Sequence, residues 1–157
     1  MSLAGVFTGL FLLLSCVHQT TYHLPDTTLY EYTANKPRLK TDAQFISIAY
    51  TDLFGRAIPP MELEQIKNIF LSQGDVTLNY DGYISYLLER ADSLLPPDSL
   101  MRADIESFTE RLYLALLNRR PGQYEIFNMA TVIRNNPDIK VRDVYFALMT
   151  SEEYKRY

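Results

Sequence analysis

Tryptophan is absent from this chain, cysteine occurs once and histidine twice. One cysteine cannot build a disulfide framework or a multi-cysteine metal site. The two histidines, His18 and His23, sit together in a short stretch without helical period and leave little for metal ligation or acid–base work. There is no basic surplus either: 15 Lys and Arg stand against 19 Asp and Glu, a net charge of −4. Nucleic-acid binding draws on an excess of cations, so no nucleic-acid partner is expected. The six glycines are isolated, and no glycine-rich phosphate loop is present. No nucleophile–base pair can be assembled, because both histidines lie far from the helical part of the chain. The string from Asp75 to Gly82 lacks the alternating oxygen ligands of a calcium loop and reads as turn chemistry. Carboxylate pairs of the glycosidase kind are conceivable in principle, but the acids fall at helix starts and on polar faces, where capping explains them. Neither catalysis, nor a metal, nor a small-molecule substrate is expected.

Apolar surface is plentiful. Of the 157 residues, 47% are hydrophobic and 13% aromatic. That builds a core in one small domain, or in two very small repeats, and excludes a disordered chain.

The first fifteen residues, Met1 to Ser15, carry no charged side chain and end in Leu13-Leu14-Ser15-Cys16. The run is short of the roughly 20 apolar residues of a membrane-spanning helix and suits a signal-peptide hydrophobic region. Its end resembles the lipobox of bacterial lipoproteins. That resemblance implies cleavage before Cys16 and acylation of Cys16, with acyl chains such as palmitate. Each buried CH₂ would add about 0.8 kcal/mol of membrane affinity. No other cofactor is expected. Val17 stands where an Asp would imply retention at the inner membrane, so the expected location is the outer membrane, facing the periplasm. Residues 16–41, rich in Thr with Pro25 and Pro37, read as the lipidated cysteine followed by an extended tether.

From residue 42 the pattern is helical and internally repeated. Tyr50 to Arg56 aligns with Tyr113 to Arg119 at a constant offset that also pairs Glu62 with Glu125 and Asp75 with Asp138. Apolar positions keep the register: Leu63, Ile66, Ile69 and Phe70 stand opposite Ile126, Met129, Val132 and Ile133. The expected architecture is all-α: two tandem three-helix units, residues 42–95 and 98–157, packed as one small helical domain. Gly55 and Asn118 occupy positions that favour a left-handed helix end. Pro60 suits a first helical turn, and Glu62 and Glu125 fall in such turns. Asp75 and Asp138 are candidate caps or turn residues for the third helices, and Asp98 or Ser99 for a short helix after Pro96-Pro97.

The stretch Tyr50-Thr-Asp-Leu-Phe-Gly-Arg56-Ala-Ile-Pro59 followed by Glu62 resembles the signature of phycobilisome-linker-like helical repeats. So does Tyr113-Leu-Ala-Leu-Leu-Asn-Arg119-Arg-Pro121 with Glu125. The ending Ser151-Glu-Glu-Tyr154 is similar to that family's closing helix, whereas the first copy ends in Leu87-Leu88-Glu89-Arg90. The resemblance covers residues 43–157 and implies a non-catalytic module that holds other proteins in register, without bilin.

Arg56 and Arg119 each follow a helix and precede a Glu by six residues. Each is expected to clip its turn to the next helix through a bidentate pair; an anion or partner contact is the alternative. Arg120 departs from the repeat, its counterpart being Ala57, and is a candidate partner contact. Tyr83 is a second candidate, within the series Tyr80, Tyr83, Tyr86 that core packing also explains. Tyr154 is a third. The expected function is a membrane-anchored scaffold or adaptor lipoprotein that binds a larger envelope assembly, of the secretion, motility or outer-membrane biogenesis type. A peptidoglycan- or glycan-binding module is the alternative.

Overall fold

The computed structural model describes residues 36–156. The expected signal peptide, Cys16, the tether up to residue 35 with His18 and His23, and Tyr157 lie outside the described residues. Among the described residues the chain is all-helical, apart from one isolated bridge between Leu39 and Arg156.

The first unit holds α1 (Asp42–Phe54), α2 (Pro60–Gln73) and α3 (Val76–Arg90), followed by a 3₁₀ turn, Asp92–Leu94. Thr41 starts α1: its hydroxyl accepts from the Gln44 N–H at 3.3 Å, and the Gln44 side chain accepts from the Thr41 N–H at 2.9 Å. Gly55 ends α1 at φ 64°. Asp75 caps α3, accepting from the Leu78 N–H at 3.0 Å.

The second unit adds a short leading helix, α4 (Asp98–Ala103), to α5 (Ile105–Leu117), α6 (Gln123–Asn135) and α7 (Val141–Met149). Asn118 ends α5 at φ 54°, where Gly55 stands in the first unit. Its short polar side chain tolerates the left-handed region that most residues avoid. Asp104 caps α5 through the Ser107 N–H at 3.0 Å. Asp98 does not cap its own helix; its carboxylate accepts from the Val141 N–H at 2.7 Å and so caps α7 instead. Asp138 caps nothing and lies in the turn before α7, where Asp143 accepts from the Lys140 N–H at 2.9 Å.

The units share one core. Phe45, Ile46, Ala49 and Tyr50 of α1 join Ile84, Leu87 and Leu88 of α3, Phe108 and Leu112 of α5, and Val144, Leu148 and Met149 of α7. The third helices of the two units, α3 and α7, pack against each other.

One feature corrects the expected boundaries. Residues 36–41 are not tether. The Lys40 N–H donates to the Lys155 carbonyl at 2.9 Å, and Lys36 Nζ donates to the Leu117 carbonyl at 2.8 Å, covering an orphan acceptor at the end of α5. Arg102 of α4 clamps the α6–α7 turn. Its guanidinium donates to the carbonyls of Ile133 at 3.0 Å, Asn136 at 3.2 Å, Pro137 at 2.7 Å and Ile139 at 2.7 Å. The Arg102→Ala variant is expected to lose about 2 kcal/mol, since hydrogen bonds from charged donors contribute about 1.5–3 kcal/mol each and water replaces part of them here. Urea unfolding measures it. A Lys at this position is expected to recover less than half, because one ammonium cannot span four acceptors.

Candidate functional site

Each unit places an arginine over a tyrosine at the turn between its first two long helices. Arg56 lies 5.6 Å from the Tyr50 ring centre, and Arg119 lies 5.1 Å from that of Tyr113. The aromatic face attracts the cation, and the left-handed residue before each arginine turns the chain to put it there. Beyond this shared core the two nodes differ.

The second node is closed. Arg119 Nη1 and Nη2 donate to the two oxygens of Glu125 at 2.7 and 2.6 Å. Its Nε and Nη2 donate to the two oxygens of Glu153 at 2.7 and 2.6 Å. One planar guanidinium thus takes two carboxylates edge-on, a geometry that lysine cannot reproduce. Glu125 also accepts from the Gly122 N–H at 2.7 Å, which caps α6 and fixes the carboxylate in place. The Arg119 bonds, and secondarily the Gly122 N–H, hold the Glu125 carboxyl below its ordinary 4.5, against the opposing effect of burial. Arg119 is therefore the clip expected from the sequence, with Glu153 as a second partner that sequence reasoning missed.

The first node is open, and here the expected pair does not form. Glu62 bonds Arg90 at the end of α3, not Arg56. Two substitutions between the copies account for it. Pro59 stands where the second unit has Gly122 and offers no N–H to anchor Glu62. Arg90 stands where the second unit has Glu153, so a cation replaces the second carboxylate and takes Glu62 for itself. Arg90 also accepts a cage of rings, at 5.8 Å from Tyr50, 5.4 Å from Phe54 and 5.2 Å from Tyr86. Arg56 is left exposed and pairs with no carboxylate among the described residues.

Two of the three candidate partner contacts require correction. Tyr83 is 4% exposed and its hydroxyl donates to the Ile46 carbonyl at 3.2 Å. It bridges α3 to α1 from within the core. Tyr154 is fully buried, meets Phe45 edge-on at 5.9 Å, and donates to Asp52 Oδ2 at 2.7 Å. Burial, with Asp52 beside it, pushes its hydroxyl pKa far up. Both tyrosines serve the fold, because their rings are needed to fill a small core. Tyr80 stacks on Phe45 at 4.0 Å, its hydroxyl pushed up to about 12 by burial and by its bond to Asp42. Arg120 is exposed, as expected of a contact residue.

Tyr86 of the same series is 44% exposed, and the most exposed aromatics among the described residues lie on α6. Tyr124 and Phe127, one turn apart on α6, are 79% and 68% exposed, and Arg120 lies on the loop that leads into this helix. Sequence reasoning missed them, and of the apolar positions it paired on α2 and α6, Ile69 and Val132 are exposed as well, at 47% and 42%. A cavity of about 390 Å³ also opens between α2 and α3, lined by Ile66, Ile69, Phe70, Tyr83 and Tyr86 with Asn79. No carboxylate lines it.

Among the described residues no cluster of three or more His, Cys, Asp or Glu is placed to hold a metal ion, and no helix is long and apolar enough to cross a membrane. No protein-family model matches the chain, and neither a curated protein nor a solved structure matches it.

Proposed function

We propose that this protein is a non-catalytic, membrane-anchored adaptor that uses its helical domain to bind a protein assembly of the bacterial cell envelope. The observation that carries the binding role is the exposed surface of α6, where Tyr124 and Phe127 stand out beside Arg120. Tyr and Arg are enriched among the residues that dominate the energetics of protein interfaces, and neighbouring exposed rings on one helix face are a surface that a partner can cover. The repeated arginine turns and the likeness to phycobilisome-linker-like repeats favour the same reading. The apolar run ending at Cys16 supports a lipid anchor, and Val17 supports the outer membrane as its location. The α2–α3 cavity lacks the convergent carboxylates that a glycan site would use, which favours an adaptor over the glycan-binding alternative.

The test is purification of the tagged full chain from its native membranes in mild detergent. One reproducible set of envelope proteins is expected to co-purify, and to be lost from the membrane fraction in the Cys16→Ala variant. In Tyr124→Ala/Phe127→Ala the anchor is retained and the partners are expected to be lost. A chain that emerges alone from both wild type and variants defeats the proposal.

A further inference from the structure

The repeat supplies its own comparison. In the second unit an arginine seated on a tyrosine holds two carboxylates, both from this chain. In the first unit the same arginine sits on the same tyrosine, yet the chain provides it with no acid among the described residues. The residue that would have completed the node, at the position of Glu153, is Arg90. Its charge makes the place more cationic than its counterpart: Arg56 and Arg90 both lie within 6 Å of the Tyr50 ring centre, at 5.6 and 5.8 Å, and among the described residues Glu62 is the one carboxylate in an ion pair with either. The hydroxyl of that same Tyr50 is buried and makes no hydrogen bond among the described residues.

We propose that Arg56, with Arg90 beside it, is a docking site for an acidic side chain of a protein partner, which supplies in trans the carboxylate that Glu153 supplies in cis in the second unit. The inference deepens the adaptor reading and rests on it only in taking the carboxylate to be a protein's. A carboxylate is the chemistry indicated, because the closed node holds two of them in bidentate geometry over an identical aromatic floor. An exposed arginine whose head group lies near a ring has less side-chain freedom to lose on binding than an unsupported one.

The experiment measures fluorescence anisotropy of a labelled hexaglutamate peptide against the detergent-solubilised full chain. The wild type is expected to bind. Arg56→Ala is expected to weaken binding about tenfold, the equivalent of one lost charged hydrogen-bond pair. Arg90→Glu supplies the second carboxylate of the closed node, with Pro59 still in place of Gly122, and is expected both to weaken binding by at least as much and to raise the melting temperature, by closing on Arg56. A variant that merely failed to fold would lower it. Arg111→Ala, an exposed cation on α5 of the second unit, is expected to change affinity less than about twofold, as exposed single charges do. Wild-type chain that does not bind, or Arg56→Ala that binds as tightly as wild type, overturns the proposal. So does an Arg90→Glu variant that melts no lower than wild type and still binds the peptide as tightly. A chain that binds the peptide through Arg56 but co-purifies with no envelope proteins keeps this site and loses the envelope reading.

Discussion

Replacing Tyr154 with alanine removes about 4 kcal/mol of stability, the cost typical of deleting a large ring from a core. The domain's total stability is on the order of 5–15 kcal/mol, so this one change takes a large part of it. The size follows from the position. Tyr154 is fully buried, it lies near the end of the second unit, and it packs edge-on against Phe45 of the first. It also fastens the segment that leads into the fold. Lys40 donates to the Tyr154 carbonyl, and its ammonium lies 4.0 Å from the centre of the same ring. Removing the ring therefore opens a cavity between the units and frees residues 36–41 together. The Tyr154→Phe variant keeps the packing and loses only the bond to Asp52, for about 1 kcal/mol. Urea denaturation separates the two variants. Trypsin provides a local readout: cleavage after Arg38 and Lys40 is expected to accelerate in Tyr154→Ala and to change little in Tyr154→Phe. Equal effects of the two substitutions would mean that the hydroxyl, and not the ring, joins the units.

How much of this was legible in the sequence divides by distance along the chain. Helix ends were legible because their causes are local. Gly55 and Asn118 mark left-handed ends, Pro60 a first turn and Asp75 a cap, each acting within four residues. The apolar register of the two copies places Phe70 and Ile133 in the core, since a helix face is a property of spacing, but the paired Ile69 and Val132 are exposed, at 47% and 42%. Links that close over long separations left no such pattern. Asp98 reaching Val141, Arg102 reaching the α6–α7 turn and Lys36 reaching Leu117 are ordinary polar residues until the fold brings their partners near. The tyrosines show the limit of residue type as a guide. Tyr83 and Tyr124 are chemically the same, yet one fills the core and the other faces water, because the helix face alone decides. The first arginine node is a different case. Its departure from the second node follows from Pro59 and Arg90, both plain in the sequence, but weighing them required knowing that Glu153 belongs to the node, which only the folded geometry reveals.

Replacing Arg119 with methionine costs about 2–3 kcal/mol near neutral pH. That lies between the near-zero value of exposed pairs and the 3–5 kcal/mol of broken buried ones, as suits a half-buried group. The loss comes less from the missing bonds than from what stays behind. Glu125 and Glu153 keep their places, one held by the Gly122 N–H and the other with Lys36 3.7 Å away, and their carboxylates then face each other without the cation between. The pH dependence follows from this. In the wild type the folded Glu125 carboxyl titrates below its ordinary 4.5, so between the two values the unfolded chain binds more protons. Its stabilisation is fully present above about 4.5 and is lost as pH falls through the folded value. In the variant, the neighbouring carboxylate pushes the Glu125 carboxyl the other way, and its protonation relieves the repulsion. Acid therefore weakens the wild type while it eases the variant. The gap between them, measured by urea midpoints, is expected to shrink from about 2–3 kcal/mol near neutral pH to under about 1 kcal/mol once Glu125 is protonated. A gap that stays constant across that range would show that Arg119 acts by packing on Tyr113, and the account of a closed charge node would fail.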